Sequence, residues 1–208
     1  MKLKKIASLA LAGIMAVSML AGCKDGTNQE EPGSSSSEVT TVSGAAEALN
    51  AALSQKKDVI KFESDADLDE GVAAYYLVNP INADKWKESH TSEFVKSTDE
   101  TMKKYFGVDY NTESDFAYVL NDDSDDYDGK AAALIGMFNT KVYTQAEALK
   151  TVGKMIDNYT FAEDQSDKND GKEFRYTGTA SVLEVKSAKG AASVWVVVAV
   201  VEKDYVAV

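Results

Sequence analysis

The chain holds one histidine, His90, and one cysteine, Cys23, so any Ser-His or Cys-His relay would have to run through these two positions. No G-x-S-x-G element surrounds a serine. His90 stands between Ser89 and Thr91 at what reads as a joint between helices, a place that suits a solvent-facing or capping side chain. A zinc site is disfavoured, because one histidine and one cysteine leave little but carboxylates as ligands. Carboxylates are abundant. Asp122, Asp123, Asp125, Asp126 and Asp128 put five acids within seven residues, and charges that close repel unless they are solvated or share a cation. Calcium is the natural candidate ion for such a loop. The EF-hand spacing nevertheless fails: with Gly129 at the turn position, Asp126 and Asp128 fit, but Ser124 takes the first ligand place and Ile135 the last. Asp65, Asp67 and Asp69 have Glu70 where glycine is needed, and Asp164–Gly171 contains Lys168. The expectation is no resident cofactor, with weak calcium binding at Asp122–Asp128 set against a solvated, mobile loop.

A glycosidase-type carboxylate pair is defined by separation in space, which the spacing of acids along a chain does not reveal. Aromatic side chains offer a second kind of chemistry. Tyr75, Tyr76, Trp86, Tyr105, Tyr110, Tyr118 and Tyr127 could line a sugar- or peptide-binding face, or serve as core-edge residues whose hydroxyls reach water. The charge balance narrows the partners. Asp and Glu number 34 against 22 Lys and Arg, a formal charge of −12, and Arg175 is the only arginine. The basic footprint of a nucleic-acid binder is missing.

These residues must be positioned by elements that the hydrophobic pattern outlines. Ser43 is placed to cap a helix reaching about Gln55, with Ala46, Leu49 and Leu53 on one face. Val59–Glu63 alternates as a strand does. Leu68–Val78 reads as helix closed by Asn79-Pro80. Asn82 or Asp84 opens a further helical region through Trp86, and from Ser92 the residues Phe94, Val95, Met102, Tyr105 and Phe106 form one stripe ended by Gly107. Phe116–Leu120 and Ala131–Phe138 read as two strands of a hairpin around the acidic loop, with Asp128-Gly129 as a turn. Thr144-Gln145-Ala146-Glu147 has the capping-box pattern, followed by Leu149, Val152 and Ile156 on a buried face. The C-terminal forty residues change period. Glu173–Lys186, a turn at Ala188–Gly190 and the valine-rich Ser193–Val201 suit strands buried on both faces. A membrane-inserted tail is a poor alternative, since Val194–Val201 is far short of a span and Glu202, Lys203 and Asp204 follow it. The expected fold class is α+β: amphipathic helices packed on an antiparallel sheet that includes a C-terminal β-hairpin.

The beginning of the chain carries its most specific signal. Lys2, Lys4 and Lys5 precede an apolar run from Ile6 to Leu20, about fifteen residues, long enough for a signal h-region and too short to span a bilayer as a helix. Leu20, Ala21, Gly22 and Cys23 follow. This segment, residues 1–23 only, resembles the lipobox of bacterial prolipoproteins. The resemblance implies that the Cys23 thiol receives a diacylglyceryl group with palmitate-type chains, that a peptidase cuts between Gly22 and Cys23, and that Cys23 becomes the new N-terminus. Each buried methylene contributes about 0.8 kcal/mol, so two or three acyl chains hold a protein almost permanently.

The expected organisation is therefore a signal peptide at 1–22, a lipidated cysteine with a Ser/Gly/Glu-rich flexible tether at 23–42, and one α+β domain at 43–208. Removal of the three signal lysines takes the charge from −12 to −15. The tether would reach about 25 Å r.m.s.. The expected protein is a lipid-anchored, extracytoplasmic lipoprotein displaying a non-catalytic binding or interaction module. Its partners would be the membrane through the lipid, and an envelope protein, the wall or a small ligand. The lysine-rich signal and serine tether fit a Gram-positive envelope, while Lys24 leaves an outer-membrane destination open. A deep pocket holding His90 or two buried acids would instead mark a small exported hydrolase or a ligand-receiving component of a transport system.

Overall fold

A computed structural model describes residues 38–87, 89–162, 172–187 and 190–207, without the side chains of Asp125, Lys172 and Ala207. The signal, Cys23, most of the tether, the Asp164–Gly171 stretch and two residues of the Ala188–Gly190 turn lie outside the described residues.

The described chain runs β1 (Glu38–Thr41), α1 (Ala45–Ala52), β2 (Ile60–Ser64), α2 (Ala66–Val78), β3 (Ser92–Phe94), α3 (Glu100–Phe106), α4 (Glu113–Asn121), β4 (Lys130–Asn139), α5 (Gln145–Asn158), β5 (Lys172–Lys186) and β6 (Ser193–Ala207). Six strands form one sheet in the order β1-β5-β6-β4-β3, with β2 also paired to β5. The fold is α+β, and the C-terminal hairpin is its centre: β5 and β6 pair antiparallel over their full length, from Lys186↔Ser193 to Lys172↔Ala207. One pairing is parallel, β2 on β5. β1 and β2 share the outer edge of β5, β1 along Leu183–Lys186 and β2 along Tyr176–Ala180.

The valines of β6 explain why this hairpin is central. Side chains alternate across a strand, so Val194, Val196, Val198 and Val200 enter one apolar layer with α2 and α3, while Val197, Ala199 and Val201 enter the other with α1, α4 and α5. Both faces of the strand are covered, and burying each such side chain contributes about 1.5–3 kcal/mol. The helix faces match. Leu49, Val119, Val152 and Ile156 are fully buried on one side of the sheet, and Val72 on the other.

Several local features differ from the pattern-based expectation. Glu38–Thr41, inside the stretch assigned to the tether, is an edge strand hydrogen-bonded to β5; its polar side chains face outward, and polar composition alone reads as linker. Ser43 does not cap α1: Gly44 holds the cap position at φ 92°, with no side-chain bond. No helix opens at Asn82 or Asp84, because the Asn82 amide oxygen accepts from the backbone of Asp84 at 2.9 Å and so stabilises a turn instead. The apolar stripe from Ser92 splits. Phe94 belongs to β3, which pairs with β4, and the helix starts only at Asp99, whose carboxylate accepts from Thr101 and Met102. Gly107 does close α3 in the left-handed region, at φ 67°. Phe116–Leu120 is helix rather than strand. Thr112 caps it through Asp115, and Phe116, Val119 and Leu120 stand at helical spacing, so the expected hairpin with Ala131–Phe138 does not form.

Candidate functional site

The acidic loop connects the end of α4 to β4, and the fold holds it firmly. The Ser124 amide and hydroxyl both donate to Asp122 Oδ1, the amide at 2.8 Å. The backbone N–H of Tyr205 donates to Asp128 Oδ1 at 2.8 Å, and that of Gly129 to the Lys203 carbonyl at 2.8 Å. Lys203, almost fully buried, passes beneath the loop with its ammonium 4.3 Å from the centre of the Phe174 ring and donates to the Asp122 carbonyl. The loop exposes Asp123, Asp126 and Asp128 to solvent, as expected, and is hydrogen-bonded to β6 at three points. Partial burial pushes the Asp122 carboxyl up, but the Ser124 hydrogen bonds, the Lys203 charge and the Tyr118 hydroxyl outweigh it and hold the group below the usual carboxylate range.

Local patterning missed Lys203. Glu202-Lys203-Asp204 reads as a charged tail, yet β6 continues through it to Ala207, and Lys203 shares a face with buried Val201. The only signal was the continued alternation Val201, Lys203, Tyr205.

Three of the tyrosines singled out from the sequence meet above this loop. Tyr110 is fixed by a bridge to Ala132, with its carbonyl accepting from Ala133 at 2.8 Å. Tyr118 projects from the last turns of α4, and Tyr127 stands in the 3-10 turn Asp125–Tyr127. The Tyr127 ring lies 5.7 Å from Tyr110, tilted by 52°, and 5.6 Å from Tyr118, at 72°. Tyr118 is 58% exposed, in a region where Asp123, Asp126 and Asp128 also face solvent. Burial pushes the Tyr127 hydroxyl up, as do the neighbouring Tyr110 and Tyr118 and the charges of Asp122 and Asp126. The result is an aromatic cluster with one exposed ring, Tyr118, and two half-buried ones, Tyr110 and Tyr127, beside exposed carboxylates.

The other aromatic candidates go elsewhere. Tyr75, Tyr105 and Phe106 pack edge to face between α2 and α3, and the Tyr75 hydroxyl donates to Asp99 at 2.7 Å, bracing the start of α3. Tyr76 is buried against Met137. Trp86 is buried with its ring 4.6 Å from His90. His90 Nε2 lies 3.0 Å from Glu93 Oε2, and the same carboxylate pairs with Lys85 at 2.5 Å, so His90 and Lys85 both meet a residue of β3.

Two shallow depressions lie on this surface, of about 280 Å³ beside Tyr143, Lys150 and Lys154, and about 490 Å³ beside Trp86, Lys87 and Lys141. Neither is lined by His90 or by the tyrosine cluster. Among the described residues no group of three or more His, Cys, Asp or Glu side chains is arranged to hold a metal ion. Among them, too, no helix is long and apolar enough to cross a membrane. Set beside known proteins, the chain matches no family model, no curated protein and no solved structure.

Proposed function

We propose that this chain is an extracytoplasmic bacterial lipoprotein, held to the outer face of a membrane through lipid on Cys23 and displaying an α+β binding module that performs no chemistry of its own. The observation that carries the anchor is Leu20-Ala21-Gly22-Cys23 placed directly after three lysines and an apolar run. Acyl chains on one sulfur supply the membrane affinity, so the domain can remain acidic and stand off an anionic surface. The binding role is supported by the open tyrosine cluster, which offers apolar ring area to a partner while the depressions elsewhere are shallow. Such a module needs no ion, and the acidic loop is held by hydrogen bonds from its own chain.

Fractionation of expressing cells tests the anchor. The wild-type protein is expected in the membrane fraction, with an N-terminal peptide whose mass includes a diacylglyceryl group on Cys23. Cys23→Ala is expected to leave the membrane. A bare Cys23 thiol in membrane-bound protein, or a Cys23→Ala variant that still partitions with membranes, removes the proposal.

A further inference from the structure

The structure points to a second property of the Tyr110, Tyr118 and Tyr127 cluster: we propose that it is the docking surface for a lysine- or arginine-rich segment of a partner protein. This rests on the binding-module reading but not on the anchor. Three features select the occupant. The rings are tilted against one another by 52° and 72°, so they present no flat platform on which a sugar ring could stack; Tyr118 stands exposed, while Tyr110 and Tyr127 are half-buried beside it. A ring face carries negative electrostatic potential and attracts ammonium and guanidinium groups. The surroundings repeat that sign: Asp123, Asp126 and Asp128 are exposed.

The basic residues of this region offset Asp109 and Asp122 and leave the field of Asp123, Asp126 and Asp128. Lys130 is 3.5 Å from Asp109. Lys203 is buried beneath the loop, committed to the Phe174 ring and the Asp122 carbonyl. The chain as a whole carries −12, which steers a cationic segment toward the surface from a distance.

Openness decides between a chain and a small molecule. Tyr118 is 58% exposed, so a lone ammonium ion would keep most of its water there and gain little. A basic segment gains at the Tyr118 ring, at the uncovered parts of Tyr110 and Tyr127, and at the exposed carboxylates together. An exposed cation–π contact is worth about two- to five-fold in affinity, and several act in concert along one chain. Hydrogen bonds from Tyr205 and Gly129 hold the loop in place before binding, which limits the ordering cost.

The test is calorimetric titration of the purified protein with oligolysine, tetramethylammonium and a neutral gluco-oligosaccharide, repeated with Tyr118→Ala and Tyr118→Phe. Tyr118 is exposed, so both variants are expected to fold, with urea midpoints as the check. Oligolysine is expected to bind and to weaken steeply as salt rises to about 0.3 M. Tyr118→Ala, which keeps every carboxylate, is expected to weaken it about three- to five-fold, and Tyr118→Phe to restore most of that loss. Oligolysine binding that ignores Tyr118→Ala would reflect net charge alone and overturns the proposal, as does no binding. Tetramethylammonium binding as tightly as oligolysine overturns it in favour of a small-molecule site. Tyr118-dependent oligosaccharide binding without oligolysine binding also overturns it, while leaving the binding-module reading intact.

Discussion

Asp157, on the last turn of α5, accepts the Ser54 hydroxyl at 2.6 Å although the two residues are 103 positions apart. The same carboxylate also accepts from the backbone of Ser54, Gln55 and Lys56 at 2.7–3.0 Å. It therefore satisfies the amides of the segment that leaves α1 and ties the path toward β2 to the end of α5. Burial pushes this carboxyl up, but the Ser54 hydroxyl and the three amides outweigh it and bring the pKa to about 2, from an ordinary 3.8. The folded protein binds the proton more weakly than the unfolded chain does. The stabilisation is thus complete above pH 3.8 and is lost as pH falls through about 2. Asp157→Ala is expected to cost about 2–3 kcal/mol in urea unfolding at pH 7, with the difference from wild type shrinking below pH 3.8.

Helix contacts made through glycine yield a second expectation. A Cβ on Gly153 would lie 2.5 Å from the Ala52 Cβ and 3.3 Å from the Leu49 carbonyl, so α1 and α5 would have to separate. A Cβ on Gly71 would be driven into the Tyr105 carbonyl of α3. Alanine favours helix by about 1 kcal/mol over glycine, yet overpacking costs about 1–3 kcal/mol or more. Both Gly→Ala variants are expected to lower the urea midpoint, with Gly71→Ala the more damaging because its obstacle is backbone. A raised midpoint in either would show that the helices part without cost.

Capping separates two residues that look alike in sequence. The Thr144 hydroxyl accepts from the Glu147 amide at 3.3 Å, and the Glu147 carboxylate accepts from the Thr144 amide at 2.9 Å. Thr144→Ala is expected to cost about 1 kcal/mol. Ser43→Ala is expected to change stability by less than about 0.5 kcal/mol, since Ser43 caps nothing. Thermal unfolding of the two variants side by side makes the comparison.

Calcium is expected to produce no binding heat at the acidic loop up to about 1 mM. Ser124 donates to Asp122 Oδ1 and Tyr205 to Asp128 Oδ1, and among the described residues no three carboxylates converge to supply the six to eight oxygens calcium takes. Titration of the purified protein with calcium chloride checks this, and a saturable heat abolished by Asp126→Asn would contradict it.

Short-range physics was legible in the residues themselves. The density of β-branched residues in Ser193–Val201 identified a strand buried on both faces, the Thr144–Glu147 spacing located the start of α5, and Asn79-Pro80 marked the end of α2. Each signal acts locally along the chain, through a run of β-branched residues, a cap bond or a proline, so it survives without knowledge of the rest.

Tertiary packing decided the remainder. Phe94 fits a helical stripe by spacing, but pairing with β4 makes it a strand residue. Glu38–Thr41 has a linker's composition, and only the open edge of β5 turns it into a strand. The gathering of Tyr110, Tyr118 and Tyr127 depends on a bridge to β4, the last turns of α4 and a loop pinned by β6. Those contacts join residues far apart in the chain. Their formation depends on which apolar faces are left to cover once the β5–β6 hairpin is in place, and no local pattern encodes that.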